Sequence, residues 1–307
     1  MKPKNRNFGR DPGLQARMML TLFLLGLVYA ALIAALIAAG AGAVTVAVIA
    51  AVLFSVQFFS SDKLALASMG AREVSPADGP WARELIGMIQ RLCIQADIPM
   101  PRVAIAQTSM PNAFAVGRSQ KNATVCVTSG LLNLLEPGEV EAVVGHELTH
   151  IANRDVMVMT LASFFASIAS FIVQMGFWFG GMVDDRDRDS GIGILGLMLV
   201  SAVVYIVSWL LLQALSRYRE FAADRGSAMI TGRPSALISA LLKIEGGMAQ
   251  TPKQDLRQAS GELAAFYIFP PAAKESLTAL FSTHPPLEKR IDALQRLERQ
   301  LQGTAGN

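Results

Sequence analysis

Residues 143–155 read VVGHELTHIANRD, and two of the three histidines in the chain stand four residues apart within this stretch. On an α-helix, which advances about 100° per residue, His146 and His150 lie one turn apart on the same face. Two imidazoles placed in this way can bind one metal ion. The stretch therefore predicts a helix that carries a metal site, with two polar histidines on an ordinary helix as the alternative.

Glu147 stands between the two histidines, on a part of the helix that should face inward. The apolar residues of this segment share one arc of the helical wheel: Val140, Val143, Val144, Leu148 and Ile151. Glu147 falls within that arc. Burying a carboxylate is unfavourable unless its charge is paired or takes part in chemistry at a metal ion. Beside a metal ion, it can take a proton from water during hydrolysis of a peptide bond. Glu147 is therefore the candidate general base.

Long uncharged stretches lie on both sides of this helix. Residues 18–61 contain no Asp, Glu, Lys, Arg or His, which is enough for two membrane spans of about 20 residues each. Residues 156–183 and 190–216 are also uncharged, and each is long enough to cross once. A signal peptide is the alternative for the first stretch, but its apolar run far exceeds the usual length of about 7–15 residues. Four transmembrane helices are therefore expected, with a turn at Gly40-Ala41-Gly42.

The charges around these stretches predict their orientation. Five basic residues and one acidic residue precede the first span: Lys2, Lys4, Arg6, Arg10, Arg17 and Asp11. Positive charge beside a first span favours the cytoplasmic side, and the loop 184–190 has little positive charge to oppose this. The same basic excess, next to anionic lipid, explains the net charge of +3 without a nucleic-acid partner. Membrane lipid is thus an expected partner, and nucleic acid is not.

The predicted fold class is α+β, a multi-span α-helical membrane protein with a cytoplasmic domain in two parts. Strands are expected at 102–107 and 123–130, with 110–117 as a possible edge strand between them. Cys93 and Cys126 follow no metal-ligand spacing and should be reduced and buried. The predicted organisation is a basic N-terminus (1–17), a first transmembrane hairpin (18–61), the first catalytic part (62–155), a second hairpin (156–216) and the second catalytic part (217–307).

A third metal ligand is expected directly after the fourth span, in the sequence RYREFAAD (217–224). Glu220 and Asp224 share a helix face there, so that Glu220 could bind the metal. Asp224 could then accept a hydrogen bond from a ligand histidine. Taken alone, the pair could be an ordinary solvated face. However, two antiparallel spans joined by a short loop return the chain to the same membrane level and bring Glu220 towards His150.

Four short motifs together resemble the HtpX family, membrane zinc endopeptidases of the gluzincin group, which also includes the CAAX prenyl protease. They are GHELTH (145–150), REFAAD (219–224), STHPP (282–286) and SDKLAL (61–66). The resemblance implies a gluzincin-type domain with one zinc ion per chain, bound by His146, His150 and Glu220, and Glu147 as general base. It also implies quality control of misfolded or damaged membrane proteins, under stress, in the bacterial inner membrane.

Two further predictions concern the substrate. His284 precedes Pro285-Pro286 and could stabilise the oxyanion, as a histidine does in other gluzincins, or could serve only the start of the last helix. Asn112, Ala113 and Phe114 resemble the edge strand along which gluzincins hold an extended substrate through backbone hydrogen bonds. An ordinary core strand is the alternative for these three residues.

Other classes of protein are disfavoured to different degrees. A transporter or channel normally carries ionisable residues inside its spans, and the uncharged stretches have none. A catalytically silent scaffold would be expected to lack Glu147 or a ligand, and all are present. A processing protease for lipidated peptides stays open as the alternative to a protease of membrane proteins. No oligomeric state is predicted.

Overall fold

The computed structural model describes residues 12–38, 43–155, 157–159, 164, 166, 168–169, 188–250 and 285–305. Its helices are α1 (Pro12–Ala38), α2 (Ala43–Ser68), α3 (Pro80–Ala96), α4 (Ser129–Leu134), α5 (Pro137–Ala152), α6 (Arg188–Thr231), α7 (Pro234–Gln250) and α8 (Leu287–Ala305). Its strands are β1 (Arg72–Glu73), β2 (Arg102–Ala106), β3 (Ala113–Gly117) and β4 (Ala123–Thr128), with short 3-10 helices at Pro76–Asp78 and Gln120–Asn122.

The chain divides into two compact units. The first contains the described parts of Met1–Leu14, Ser61–Met157 and Ser216–Asn307, and the second those of Gln15–Ser60 and Val158–Leu215. The first unit holds the sheet and a large apolar core that is built mainly from α3, α5, α7, α8 and the strands. The HELTH sequence and residues 217–224 both belong to this first unit.

The sheet of the first unit has the strand order β1–β2–β4–β3. β4 runs parallel to β2 and antiparallel to β3, and all six of its residues are buried, as expected of a central strand rich in β-branched residues. Within the described part of the chain, β3 pairs with β4 alone and is an edge strand. The strands expected at 102–107 and 123–130, and the edge strand within 110–117, are confirmed.

Helix α5 begins as its sequence predicts. Glu136 is the N-cap, Pro137 occupies the first helical position, and the Glu139 carboxylate accepts a hydrogen bond from the Glu136 N–H at 2.8 Å. This reciprocal cap satisfies backbone donors that the first helical turn leaves open. The five apolar residues of the predicted inward arc are all buried. Helical periodicity therefore sets which face of α5 enters the core, and Glu147 enters it with them.

Helix α6 packs against α5 at unusually close range. Gly226 has no room for a side chain, because an added Cβ would lie 2.2 Å from Thr149 Cγ2. At the same crossing the Ser227 hydroxyl donates a hydrogen bond to the Ala142 carbonyl at 2.6 Å. α6 then ends before Gly232, whose φ of 68° ends the helix in the left-handed region. The small residues of α6 thus allow its first-unit segment to approach the HELTH face of α5.

Two described helices are long and apolar enough to cross a membrane, over Pro12–Ile37 and Met198–Thr231. In the second unit, α1 and α6 expose large apolar side chains such as Phe23 and Leu199, which suits contact with lipid rather than water. Most of the third predicted span (156–183) and the predicted turn at 40–42 lie outside the described residues.

Three local features differ from the sequence expectations. α2 continues to Ser68, past the predicted end of the second span at residue 61, because the segment KLALAS keeps helix-forming residues up to the turn at Gly70. The two-residue strand β1 follows this turn and was not predicted. α7 continues through Gly246 and Gly247 to Gln250, although glycine disfavours the interior of a helix. Each difference lies at an element boundary.

Candidate metal centre

Three side chains of the first unit converge as the sequence predicts. His146 and His150 come from α5 and Glu220 from α6, and their ligand atoms form one cluster that could hold a metal ion. The two Nε2 atoms are 3.2 Å apart. Glu220 places one carboxylate oxygen 3.5 Å from His146 Nε2 and the other 3.4 Å from His150 Nε2. The three residues thus form a compact donor triangle, in which each imidazole faces a different oxygen of Glu220.

The size of this triangle fits a single four-coordinate metal ion. Zinc binds imidazole nitrogen at about 2.0–2.1 Å and carboxylate oxygen at about 2.0–2.2 Å, so tetrahedral ligand atoms are about 3.3–3.5 Å apart. The observed separations of 3.2–3.5 Å lie close to this range. Three protein ligands would also leave a fourth position for water or substrate, as in catalytic zinc sites.

The outer nitrogen of each imidazole faces a buried carboxylate. His150 Nδ1 lies 2.6 Å from Asp155 Oδ2, and His146 Nδ1 lies 3.0 Å from Asp224 Oδ1. A carboxylate at Nδ1 holds the proton there and leaves the Nε2 lone pair for the metal. Asp224, which was expected to contact a ligand histidine, thus lies beside His146.

A backbone reversal brings Asp155 to this position. Arg154, directly after the end of α5, has a φ of 58°, which is uncommon for a residue other than glycine. The chain turns there, and Asp155 becomes almost fully buried against His150. Asp155 was not among the residues predicted from the sequence, although a carboxylate five residues after a ligand histidine could have pointed to it.

Each of these two carboxylates is paired with an arginine. Arg219 Nε lies 3.1 Å from Asp155 Oδ1, and Arg290 donates two hydrogen bonds to Asp224, at 2.8 and 2.6 Å. Burial works against ionisation of both carboxyl groups, but the charges of Arg219 and Arg290 outweigh it and lower the pKa of Asp155 and Asp224. Neither arginine was proposed from the sequence.

The charges of the cluster favour a divalent cation. Six charged groups contribute: the buried carboxylates of Glu147, Asp155, Glu220 and Asp224, the buried guanidinium group of Arg290, and that of Arg219, which is 11% exposed. With neutral imidazoles, these six groups carry an excess of two negative charges. A divalent ion would cancel the excess, and buried charge that is not balanced is strongly unfavourable. The donor set and its charge therefore both fit zinc.

The same negative excess acts on the histidines when no metal is bound. Burial disfavours their protonated forms, but contacts with carboxylates prevail: Asp224 and Glu220 raise the pKa of His146, and Asp155 and Glu220 raise that of His150 to about 10. Protons and a metal ion therefore compete for the same Nε2 atoms.

Glu147 is buried on α5 between the two histidine ligands. Its charge, together with those of Asp224 and Glu220, raises the pKa of Arg290, which places it within electrostatic reach of the same cluster. A carboxylate at this position can hold a proton beside the donor triangle. The role of general base stays a prediction for Glu147.

The substrate predictions have different outcomes. Asn112 is buried before β3, its N–H donates to Thr128 Oγ1 at 2.9 Å, and Ala113 and Phe114 begin the edge strand. A cavity lined by residues of β3 (Val116 and Gly117) and of α5 (His150 and Ile151), among others, borders the end of that strand. His284 lies outside the described residues.

Fold and site together define a membrane metalloprotease. The chain belongs to peptidase family M48, whose family model matches residues 81–298. It is 53% identical over 298 residues to a protein named Protease HtpX homolog from Moorella thermoacetica, covering 97% of this chain and 98% of that protein. It is 49% identical to Protease HtpX homolog 2 from Methanosarcina acetivorans, covering 96% and 99%. The resemblance inferred from the four motifs is thereby confirmed.

A solved structure supports the fold. The chain is similar to the crystal structure of S. mikatae Ste24p with a TM-score of 0.54 and 17% sequence identity. The match covers 92% of this chain and 66% of the Ste24p chain, so the present chain spans slightly under two thirds of that protein. At this level of identity the likeness concerns the fold alone.

Proposed function

We propose that this protein is a zinc-dependent endopeptidase that cleaves misfolded or damaged membrane proteins near the cytoplasmic membrane surface. The observation that carries the proposal is the donor triangle of His146, His150 and Glu220, whose nitrogen and oxygen atoms lie 3.2–3.5 Å from their nearest neighbours in the triangle. The buried Glu147 and the excess of two negative charges around the triangle support it. One zinc ion per chain would be held by these three ligands.

The side chains of the site have separable roles in peptide hydrolysis. A bound zinc ion would polarise the scissile carbonyl and lower the pKa of a water molecule. Glu147 accepts the proton of that water at its carboxylate and passes it to the leaving amine nitrogen. Asp155 and Asp224 keep the two imidazoles oriented during this transfer. His284 is proposed to donate a hydrogen bond to the oxyanion.

The edge strand β3 is the proposed substrate-binding element. Within the described residues its far side has no strand partner, so an extended peptide can add there through backbone hydrogen bonds. Asn112, Ala113 and Phe114 stand at its start, and the cavity at its end reaches His150. A peptide bound along this edge would have its backbone directed past the ligands.

We also propose four transmembrane spans, within 18–61 and 156–216, and a cytoplasmic catalytic domain formed by 62–155 and 217–307. The basic N-terminus and the two candidate spans of α1 and α6 support this topology. The proposed location is the bacterial inner membrane. Polypeptides of that membrane are the proposed substrates, and its lipid surrounds the spans.

The first experiment is cleavage of an unfolded reporter protein by the detergent-purified full chain. Wild type with zinc should cleave it, and a chelator should stop cleavage. Glu147→Gln should lower kcat by about 100- to 10,000-fold, because the proton acceptor is lost while zinc still binds. Glu141→Gln, an outer-face change on the same helix, is the matched control and should keep wild-type activity. A Glu147→Gln protein that binds zinc and cleaves at the wild-type rate would exclude this mechanism.

The choice between substrates needs a second assay. The relatives are named HtpX protease homologs, and the HtpX resemblance implies membrane proteins as substrates, so we propose these over lipidated peptides. Purified wild type should therefore cleave a destabilised membrane protein in proteoliposomes faster than a prenylated peptide of matched sequence. A preference for the prenylated peptide would support the processing-protease alternative.

A further inference from the structure

Arg290 is the largest fully buried side chain in the described part of the protein, with 0% of its surface exposed. It lies on α8, whose inward face otherwise carries Leu287, Leu294 and Leu297. A guanidinium group is very unfavourable in such a place unless it is fully paired. The pairing partners of Arg290 therefore indicate why a cation is kept on an apolar helix face.

Those partners are residues of the metal centre. Arg290 Nε and Nη2 donate to the two oxygens of Asp224, at 2.8 and 2.6 Å, in a bidentate arrangement. Arg290 Nη1 lies 3.7 Å from Glu220 Oε2, a carboxylate oxygen of the donor triangle. Asp224 in turn faces His146 Nδ1 at 3.0 Å. A continuous chain of contacts thus runs from α8 to two of the three candidate ligands.

We propose that Arg290 is a positioning residue of the metal centre, which sets zinc affinity by fixing Asp224 and, through it, the ring of His146. The inference rests on the proposed zinc site. The planar guanidinium fork holds both Asp224 oxygens, so that one of them stays directed at Nδ1 and Nε2 stays directed at the metal. Lysine would keep the charge but lose the fork.

The competing explanation is that Arg290 only anchors α8 to the core. In that case its loss would lower the stability of the fold without a specific effect on zinc. Lys243 provides the comparison, because its Nζ pairs with Glu139 at 2.8 Å and also joins two helices of the same unit. An anchoring role predicts similar behaviour for Arg290 and Lys243 variants, whereas a positioning role predicts that only Arg290 affects zinc.

The test is zinc affinity of the detergent-purified full chain, measured by competition with a chromogenic chelator. Arg290→Met and Arg290→Lys should raise the zinc dissociation constant by about 10- to 100-fold, the usual effect of losing an outer-shell partner. Lys243→Met should leave it unchanged, although it lowers the unfolding temperature. At saturating zinc, KM of the Arg290 variants should stay near wild type, because Arg290 touches no substrate.

A double-mutant cycle adds the decisive readout. If Arg290 acts through Asp224, the changes in zinc affinity of Asp224→Asn and Arg290→Met should be strongly non-additive in the double variant. Additive changes, or Arg290 variants that bind zinc as tightly as wild type, would overturn the inference. Arg290→Lys keeps the test usable if Arg290→Met does not fold. A wild-type protein that binds no zinc would instead reject the proposed function.

Discussion

Each histidine of the metal centre is held by a carboxylate, and each carboxylate by an arginine. His150, Asp155 and Arg219 form one such chain, and His146, Asp224 and Arg290 form the other. This repeated arrangement fixes the direction of both Nε2 lone pairs before a metal arrives. Metal affinity should therefore depend on residues that never touch the ion.

Asp155 is the residue-scale test on the His150 side. Asp155→Asn keeps the shape of the side chain but removes the charge that Arg219 and His150 Nδ1 share. The zinc dissociation constant should rise by about 10- to 100-fold, as measured by chelator competition. Asp292→Asn on the exposed side of α8 is the control and should bind zinc like wild type. Equal affinities of the two variants would show that Asp155 is dispensable for the site.

Residue spacing predicted the three candidate ligands and Asp224, but it predicted neither Asp155 nor the two arginines. His146, Glu147 and His150 lie within one helical turn or two, where periodicity alone fixes their mutual positions. Asp155 depends on the left-handed turn at Arg154, which no local residue preference favours. The sequence shows Arg290 among leucines at helical spacing on α8. Its partner Asp224 lies on α6 and can be identified only from the packing of the two helices.

At the scale of elements, the crossing of α5 and α6 aligns the donor triangle. Glycines and small residues at this crossing let two helix backbones approach, and Glu220 reaches the histidines only at that distance. The sequence predicted both helices and the pairing of their ends. It did not predict how closely they pack, because the fit of Gly226 against Thr149 joins residues far apart in the chain.

Gly226→Ala should disturb this crossing. The new Cβ would meet Thr149 Cγ2 at 2.2 Å, so the helices must separate, at a typical destabilisation of about 1–3 kcal/mol. Thermal unfolding of the zinc-loaded protein should shift down, and zinc should bind more weakly. Gly246→Ala in α7 meets nothing within 4 Å and should be neutral or stabilising.

A second substitution checks the cause. Thr149→Ala removes the atoms that the new Cβ would meet, so the double variant Gly226→Ala/Thr149→Ala should regain much of the lost zinc affinity. If the double variant binds zinc no better than Gly226→Ala alone, the contact with Thr149 is not the reason for the requirement for glycine.

The contacts of Glu139 on α5 with Lys243 and Ser239 on α7 lead to a prediction of how stability depends on pH. Glu139 accepts hydrogen bonds from Lys243 and Ser239 at 2.8 and 2.6 Å, and these outweigh burial and lower its pKa below the ordinary 4.5. A lowered carboxyl pKa stabilises the fold above pH 4.5, and this contribution is lost as the pH falls through the lower, folded-state pKa.

Glu139→Gln should therefore unfold at a lower temperature than wild type at pH 7, and the difference should shrink as the pH falls below about 4. The measurement is thermal unfolding in detergent from pH 3 to pH 8. Glu245→Gln on the exposed side of α7 is the control and should follow the wild-type profile. A constant difference between Glu139→Gln and wild type across this range would contradict the assignment.

At the scale of the whole molecule, the proposed topology can be tested with cysteine labelling. Cys93 and Cys126 are buried and free, and burial raises their pKa to about 11 and about 12, so both should be unreactive in the folded protein. Single cysteines added elsewhere can therefore be labelled selectively without removing the native ones.

Asp187→Cys in the predicted outer loop should react with a membrane-impermeant maleimide added to intact spheroplasts. Lys4→Cys in the basic N-terminus should react only after the membrane is permeabilised. The native chain without added cysteines is the control and should stay unlabelled in both conditions. Labelling of Lys4→Cys from outside would reverse the proposed orientation.

The charge balance of the metal centre has a consequence for how the protein matures. In a newly inserted chain, protons on His146 and His150 would balance the two surplus negative charges where α5, α6 and α8 meet, until a divalent ion displaces them. Loading of the ion would therefore complete assembly as well as enable cleavage. We therefore expect the supply of the metal ion to control when a newly made chain becomes able to cleave neighbouring proteins.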